Sequence, residues 1–123
     1  MRVLVIDDEA HIRSLVSYNL ELCNNIVFVA SNGLKGLEIA KKEELDLILL
    51  DIMMPVMNGF NTLSRLKNDG KTKNLPVIML TSKSQLKDVE KAFKYGADNY
   101  ITKPFPAQDL YNLIQMKMNK CST

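Results

Sequence analysis

The sequence of 123 residues contains little cysteine, a single histidine and no tryptophan. Its two cysteines, Cys23 and Cys121, have neither the spacing of metal ligands nor that of a redox motif. We expect reduced cytosolic thiols, one on a helix and one in a tail.

The sequence also gives no reason to expect a membrane span, a leader peptide or a strongly charged surface. No apolar run approaches the length of a membrane span, and residues 1–6 resemble a strand rather than a signal peptide. A formal net charge of +2 gives no reason to expect nucleic acid or an anionic membrane as a partner. We therefore expect a cytoplasmic domain that neither contacts nucleic acid directly nor enters a membrane.

Two classes of nucleotide-binding protein are excluded by loops that the sequence does not have. A nucleotide-dependent switch needs a glycine-rich phosphate loop followed by Lys-Ser or Lys-Thr, and no such run occurs. A flavodoxin-type electron carrier needs a loop rich in Ser, Thr and Gly after the first strand, and this is absent too.

What the sequence does have is a regular alternation of strand-like and helix-like segments. The predicted strands are residues 3–6, 26–30, 46–51, 77–81 and a run ending at Thr102. Apolar stripes predict the intervening helices at Ile12, Leu15, Val16 and Leu20; Leu34, Leu37 and Ala40; Phe60, Leu63 and Leu66; Leu86, Val89 and Phe93; and Leu110, Leu113 and Ile114. Gly96 is predicted to stop the fourth helix.

This alternation predicts an α/β fold in one domain. The central strands are continuously apolar, as expected when helices cover both faces of a parallel sheet. We predict a doubly wound, five-stranded parallel sheet with five helices over residues 1–119, followed by a short tail or linker over 120–123. In such sheets, ligands bind beyond the carboxyl ends of the strands.

Three aspartates stand at two of these strand ends. Asp7 and Asp8 close the first strand and Asp51 closes the third. Carboxylates brought together at the edge of an apolar sheet repel one another unless a cation lies among them, and a hard divalent ion such as Mg²⁺ suits oxygen ligands. For Asp8 a helix N-cap is the alternative interpretation.

Two other strands end in different polar groups. The fourth runs into Thr81, and the fifth is followed by Lys103 and Pro104. The carboxyl edge should therefore carry carboxylates, a hydroxyl and an ammonium group. His11, the single histidine, is predicted to be exposed, and the Met53, Met54 and Met57 group is predicted to fill space under a loop.

In this order and spacing the motifs resemble those of the receiver domains of two-component response regulators, over residues 2–118. The matching segments are Val5-Ile6-Asp7-Asp8-Glu9, Leu49-Leu50-Asp51 through Pro55 to Gly59, Met79-Leu80-Thr81-Ser82, and Gly96 through Tyr100 to Lys103-Pro104-Phe105. The resemblance implies a flavodoxin-like (βα)5 receiver fold.

The resemblance also implies roles for the residues at the strand ends. Asp51 would be the phosphoacceptor, and Mg²⁺, replaceable by Mn²⁺, would be held by Asp7, Asp8, Asp51 and the backbone carbonyl of Met53. Asp8 would bind the metal directly and Asp7 through water.

Other implied roles concern the response to phosphorylation. Lys103 would contact a phosphoryl oxygen, its peptide bond to Pro104 would be cis, and the Thr81 hydroxyl would donate to another oxygen. Thr81 and Tyr100 would then switch the surface formed by the fourth helix, fifth strand and fifth helix. From the residues alone, Tyr100 is instead a half-buried strand aromatic with its hydroxyl in water.

The implied function is that of a phosphorelay signal receiver. Phosphate would come from a sensor histidine kinase or phosphotransfer protein, and the target would be an output domain or effector protein. The domain would catalyse only its own phosphorylation and dephosphorylation. A second copy of the chain, joined in a phosphorylation-dependent dimer, would be one further partner.

Two alternatives and one departure accompany this interpretation. A Mg²⁺-dependent phosphatase with an aspartyl-phosphate intermediate would need a second aspartate where Met53 stands. A pseudo-receiver, a phosphate-independent interaction module, would normally have lost an acidic residue or the lysine. Asp98-Asn99 and Leu113 depart from the acidic pair and arginine that are usual in regulators with winged-helix DNA-binding outputs.

Overall fold

The fold is the predicted alternation of strands and helices. The structure, a computed structural model, describes residues 1–54 and 57–121, with side chains described up to residue 119. The strands are β1 (Arg2–Ile6), β2 (Ile26–Ala30), β3 (Leu47–Asp51), β4 (Val77–Ser82) and β5 (Asn99–Lys103). The helices are α1 (Ala10–Leu22), α2 (Gly33–Lys42), α3 (Gly59–Lys67), α4 (Val89–Lys94) and α5 (Leu110–Cys121). Two 3-10 helices, Lys83–Asp88 and Ala107–Asp109, lead into α4 and α5.

All strand pairs are parallel, in the order β2-β1-β3-β4-β5, which confirms the doubly wound sheet. Helices α1 and α5 cover one face, and α2, α3 and α4 cover the other. Every residue of the central strand β3 is buried, because helices pack against both of its faces. Among the helices that the structure describes, none combines the length and apolar character needed to span a bilayer.

Local sequence signals explain several helix boundaries. Asn32 and Asn58 are the N-caps of α2 and α3, and their side chains accept hydrogen bonds from the Lys35 and Asn61 amides at 2.9 Å. Gly96 follows α4 with a φ of +105°, so the residue predicted to stop this helix does occupy the left-handed region.

The fourth helix differs from its prediction. Its first part, Lys83–Asp88, is a 3-10 helix, and the α-helical part is only Val89–Lys94. Leu86 and Phe93 are each 43% exposed, and Ala92 is the buried residue of α4. The predicted stripe of Leu86, Val89 and Phe93 is therefore not one buried face. Leu86 belongs to the 3-10 helix, whose three residues per turn break the 3.6-residue period between it and the two residues in α4.

Smaller differences concern single residues. Leu15 and Leu34, placed on buried stripes, are 39% and 45% exposed. The backbone of Cys121 lies in α5 and not in a tail, while Cys23 is the exposed C-cap of α1. Pro55 and residues 122–123 lie outside the described residues.

Gly59 allows the start of α3 to lie directly against the end of β3. Its amide donates to the Ile52 carbonyl at 2.8 Å. A Cβ at this position would meet the Asp51 carbonyl oxygen and would lie 2.7 Å from the Ile52 Cα. Both are backbone atoms, so they cannot move aside as a flexible side chain would.

We therefore predict that Gly59→Ala lowers the free energy of unfolding by about 1–3 kcal/mol or more, as overpacking does. Urea denaturation would measure the change. Gly70→Ala is the matched control, because a Cβ at Gly70 meets nothing within 4 Å. Equal stabilities of the two variants would contradict the packing argument.

Candidate functional site

Four adjacent strands bring the predicted site residues together at the carboxyl edge of the sheet. Asp7 follows β1 and Asp51 ends β3, and the pairing of Ile6 with Leu50 places these two carboxylates at the same level. Thr81 lies near the end of β4 and Lys103 ends β5. The register of the parallel sheet thus assembles residues that are far apart in sequence.

Asp7 is fully buried and is held at every polar atom. Its amide donates to the Ala30 carbonyl at 3.1 Å, and its own carbonyl accepts from Arg13 Nη1 at 2.8 Å. The Glu9 amide donates to Asp7 Oδ1 at 2.9 Å, and Lys103 Nζ donates to Oδ2 at 2.9 Å. This carboxylate is therefore fixed in position before any ligand binds.

Asp51 is the second buried carboxylate, with 4% of its surface exposed. The Met53 amide donates to Asp51 Oδ1 at 3.4 Å, and Lys103 Nζ lies 3.6 Å from the same oxygen. Burial and the negative charge of Asp7 raise the pKa of Asp51 to about 7, although Lys103 opposes the shift. A side-chain hydrogen bond with Asp8 also favours the protonated form.

Lys103 lies among three carboxylates. Besides Asp7 and Asp51, it approaches Glu9 Oε1 at 3.6 Å, and its side chain is 15% exposed. Burial lowers the pKa of Lys103, but the hydrogen bond with Asp7 and the charges of Asp51, Asp7 and Glu9 outweigh burial and raise it. The ammonium therefore remains charged. The Lys103–Pro104 peptide bond is cis, in agreement with the resemblance.

The three aspartates form a group that suits a hard cation. Carboxylate oxygens of Asp7, Asp8 and Asp51 lie within 4.8 Å of one another, and Asp8 is exposed while the other two are buried. The group sets three carboxylates against the one ammonium of Lys103 and therefore keeps an excess of negative charge. Oxygen-only donors with excess negative charge fit Mg²⁺ or Mn²⁺. The N-cap of α1 is Glu9, so the N-cap interpretation of Asp8 is wrong.

Thr81 follows Leu80, the residue paired with Asp51 in the β3–β4 ladder, and Tyr100 lies on β5 three residues before Lys103. Thr81 is fully buried, and its hydroxyl donates to the Ser82 carbonyl at 3.1 Å rather than towards Asp51. The Tyr100 ring is half-buried; it meets Phe93 edge-on, with ring centroids 6.4 Å apart, and Lys117 Nζ lies 5.0 Å from its centroid.

Sequence reasoning missed Glu9 and Arg13, which fix the end of β1. Both residues follow Asp7 and Asp8 at the start of α1. Their charge, so close to the acidic pair, is the sequence feature that could have indicated a contact with the end of β1. The His11 side chain is 73% exposed, as predicted, with Nε2 3.6 Å from Glu9 Oε2. Met54 and Met57 are buried, whereas Met53 is 55% exposed.

Comparison with protein families agrees with the site. The sequence model described as "Response regulator receiver domain" matches residues 3–115. The DNA-binding dual master transcriptional regulator RpaA of Synechocystis is 43% identical over 109 residues, 89% of this chain and 45% of that protein. The heme response regulator HssR of Staphylococcus aureus strain Newman is 36% identical over 110 residues, 89% of this chain and 48% of HssR. The chain thus spans less than half the length of these relatives.

Solved structures give the same result. The chemotaxis response regulator CheY4 of Vibrio cholerae superposes with a TM-score of 0.88 at 31% identity, covering 94% of this chain and 97% of that one. A receiver domain from Clostridium thermocellum has a TM-score of 0.84 at 35% identity, covering 97% and 94%.

The pKa of Asp51 leads to a prediction about stability. In chelator-treated protein, the folded state keeps the Asp51 proton up to a pKa of about 7, against 3.8 as the ordinary value. Its contribution to stability is therefore complete below that ordinary value and is lost as the pH rises through about 7. We expect Asp51→Asn to raise the free energy of unfolding by roughly 2–4 kcal/mol at about pH 8 and by little at about pH 4.

Urea denaturation with EDTA at both pH values measures this difference. Glu21→Gln, which removes an exposed carboxylate of α1, serves as the control. An Asp51→Asn effect that is the same at both pH values would contradict the raised pKa.

Proposed function

This chain belongs to the response regulator receiver domain family and is a phosphorelay signal receiver of two-component systems, and on that premise we propose that Asp51 is its phosphoacceptor. One observation carries the proposal: the Asp51 carboxylate lies buried at a strand end, 3.6 Å from a lysine ammonium and within a group of carboxylates. Nucleophile, cation and acidic group thus occupy one edge of the sheet.

The reaction we propose is phosphoryl transfer from a phosphohistidine of a sensor kinase or phosphotransfer protein. An Asp51 oxygen forms a bond to phosphorus while the phosphorus–nitrogen bond breaks, and the electron pair stays on the imidazole nitrogen. The product is an acyl phosphate on Asp51. Since such transfer depends mainly on positioning and charge neutralisation, the fixed Lys103 ammonium contributes by pairing with a phosphoryl oxygen.

The acidic group would hold Mg²⁺, for which Mn²⁺ can substitute. Asp8, Asp51 and the Met53 carbonyl are the proposed direct ligands. The Asp7 side chain already bonds to the Glu9 amide and to Lys103, which supports a ligand role through water. The bound cation would neutralise charge on the phosphoryl group and on the carboxylates.

The response would begin at Thr81. Once phosphate is present, the Thr81 hydroxyl would leave the Ser82 carbonyl and donate to a phosphoryl oxygen. The movement would open space for the Tyr100 ring to turn inward from its contact with Phe93. The α4–β5–α5 surface would then favour one partner over another, as a shift between two populations.

Partners and setting follow from the family and remain proposals. We expect a cytoplasmic domain that exchanges phosphate with a kinase and catalyses only its own phosphorylation and dephosphorylation. An output domain or an effector protein would receive the signal, and a phosphorylation-dependent dimer on the α4–β5–α5 surface is one form of output. RpaA is described as DNA-binding, which supports a DNA-binding output as the target of this domain, whereas Asp98-Asn99 and Leu113 depart from the residues usual in winged-helix regulators.

The two alternative functions have less support. A phosphatase with an aspartyl-phosphate intermediate would place a second carboxylate at Met53. A pseudo-receiver would lack part of the group that Asp7, Asp8, Asp51 and Lys103 complete.

We predict that incubation with Mg²⁺ and acetyl phosphate adds a single phosphoryl group to Asp51, labile to base and to hydroxylamine as acyl phosphates are. Asp51→Asn should remain unlabelled, because its amide is not a nucleophile. Mass spectrometry of the intact protein and its peptides would locate the group. Asp8→Ala or EDTA should strongly slow labelling, whereas Asp109→Asn, an exposed carboxylate outside the group, should not. Equal labelling of Asp51→Asn would refute the assignment.

A further prediction concerns the lifetime of the acyl phosphate. Met53 is 55% exposed, and Lys83 is also exposed; they follow Asp51 and Thr81 by two residues. Met53 cannot hydrogen-bond and orient an attacking water as an amide could, and the Lys83 ammonium can lie over the phosphoryl oxygens. We expect slow autodephosphorylation, over minutes or longer.

Loss of label from Met53→Asn and Lys83→Glu, timed beside the wild type, tests this expectation. Both variants should lose phosphate faster. Lys87→Glu makes the same charge change on the same 3-10 helix and should leave the rate unchanged. A wild-type half-life of seconds, or no acceleration in either variant, would defeat the argument.

A further inference from the structure

Two hydrogen bonds hold the segment that follows Thr81. Gln85 Oε1, on the 3-10 helix Lys83–Asp88, accepts from the Ser82 amide at 3.0 Å. The Ser82 carbonyl accepts from the Thr81 hydroxyl at 3.1 Å. Ser82 is therefore bound on both sides, by Gln85 through its amide and by Thr81 through its carbonyl.

We propose that Gln85 is a positioning residue that keeps Thr81 in its unphosphorylated arrangement, a role that rests on the function proposed above. The Thr81 hydroxyl cannot donate to the Ser82 carbonyl and to a phosphoryl oxygen at once, because it has one hydrogen. Gln85 fixes the orientation of Ser82 through its amide, and the Ser82 carbonyl is the acceptor that holds the Thr81 hydroxyl. Loss of the Gln85 bond would free Ser82 to turn this carbonyl away from Thr81, so the Gln85 bond supports the Thr81 bond.

The neighbouring strand and Gln85 together restrict how Ser82 can turn. Thr81 pairs with Thr102 and Ser82 with Lys103 in the β4–β5 ladder, so β5 restricts one side of the segment. The Gln85 amide group restricts the other side, where the strand leaves the sheet. Ser84 Oγ lies 2.9 Å from Ser82 Oγ, but this contact involves the side chain and not the peptide.

The consequence is a lower affinity for any ligand that binds at Asp51 and requires the inward position of Thr81. A ligand that needs Thr81 turned inward binds with an affinity reduced by the fraction of molecules in that arrangement. Removing the Gln85 acceptor should raise this fraction. A neutral hydrogen bond contributes enough to change such an equilibrium about three- to tenfold.

The decisive variant is Gln85→Met, which keeps the shape and helix preference of the side chain but removes the acceptor. Beryllofluoride, which mimics a phosphoryl group on a carboxylate, is the probe, in the presence of Mg²⁺. We expect its dissociation constant, measured by calorimetry, to fall about three- to tenfold in Gln85→Met. Two control variants should bind beryllofluoride no more tightly than the wild type. Gln85→Glu keeps an acceptor oxygen, and Ser84→Ala keeps the hydrogen bond between the Ser82 amide and Gln85.

Hydrogen exchange supplies a second measurement in the free protein. The Ser82 amide should exchange faster in Gln85→Met than in the wild type and Ser84→Ala, while melting temperatures stay close. Gln85→Ala serves as a second variant without the acceptor, should Gln85→Met fold poorly. Tight binding by Gln85→Glu, or affinities of the acceptor-free variants within about twofold of the wild type, would overturn the inference.

The outcomes separate this inference from the proposed function. Failure of the wild type to bind beryllofluoride, together with absence of label on Asp51, would overturn the proposed function and with it the role of Gln85. Normal binding and labelling, with acceptor-free variants identical to the wild type, would overturn only the inference about Gln85.

Discussion

The contact between Lys103 and Asp7 organises the site. It joins the ends of β5 and β1, which are separated by β3 and β4 in the sheet, and it spans 96 positions of sequence. Both side chains are largely removed from water, so each charge depends on the other for compensation. Asp51 lies between these two strands; burial raises its pKa most, the charge of Asp7 raises it further, and Lys103 lowers it. A nucleophile with a pKa near neutrality is the result.

Much of this arrangement could be predicted because it depends on strand ends. Continuous apolar runs such as Leu47–Leu50 indicate a sheet covered on both faces, and the residues after such runs must meet at one edge. Asp7, Asp51, Thr81 and Lys103 were placed by that rule alone. Their individual roles came from the resemblance, since no spacing distinguishes a phosphoacceptor from a metal ligand.

Side chains that act through the backbone could not be predicted in the same way. Arg13 binds the Asp7 carbonyl and Gln85 binds the Ser82 amide. Each contact depends on the rotational position of a helix relative to a strand end, and a one-residue change in helix start would remove it. The same dependence explains Leu86, whose exposure follows from the 3-10 geometry before α4.

The positions of the charged residues along the chain also have a consequence for folding during synthesis. The three aspartates lie within the first 51 residues, two in the loop after β1 and one at the end of β3, whereas Lys103 is in the last strand. Domains generally fold as units. A β2-β1-β3 sheet without β5 would hold its carboxylates together without their lysine, which disfavours that sheet as a separate intermediate. Completion of the hydrophobic sheet and neutralisation of its acidic edge are accordingly one event, which couples late folding to the arrival of β5.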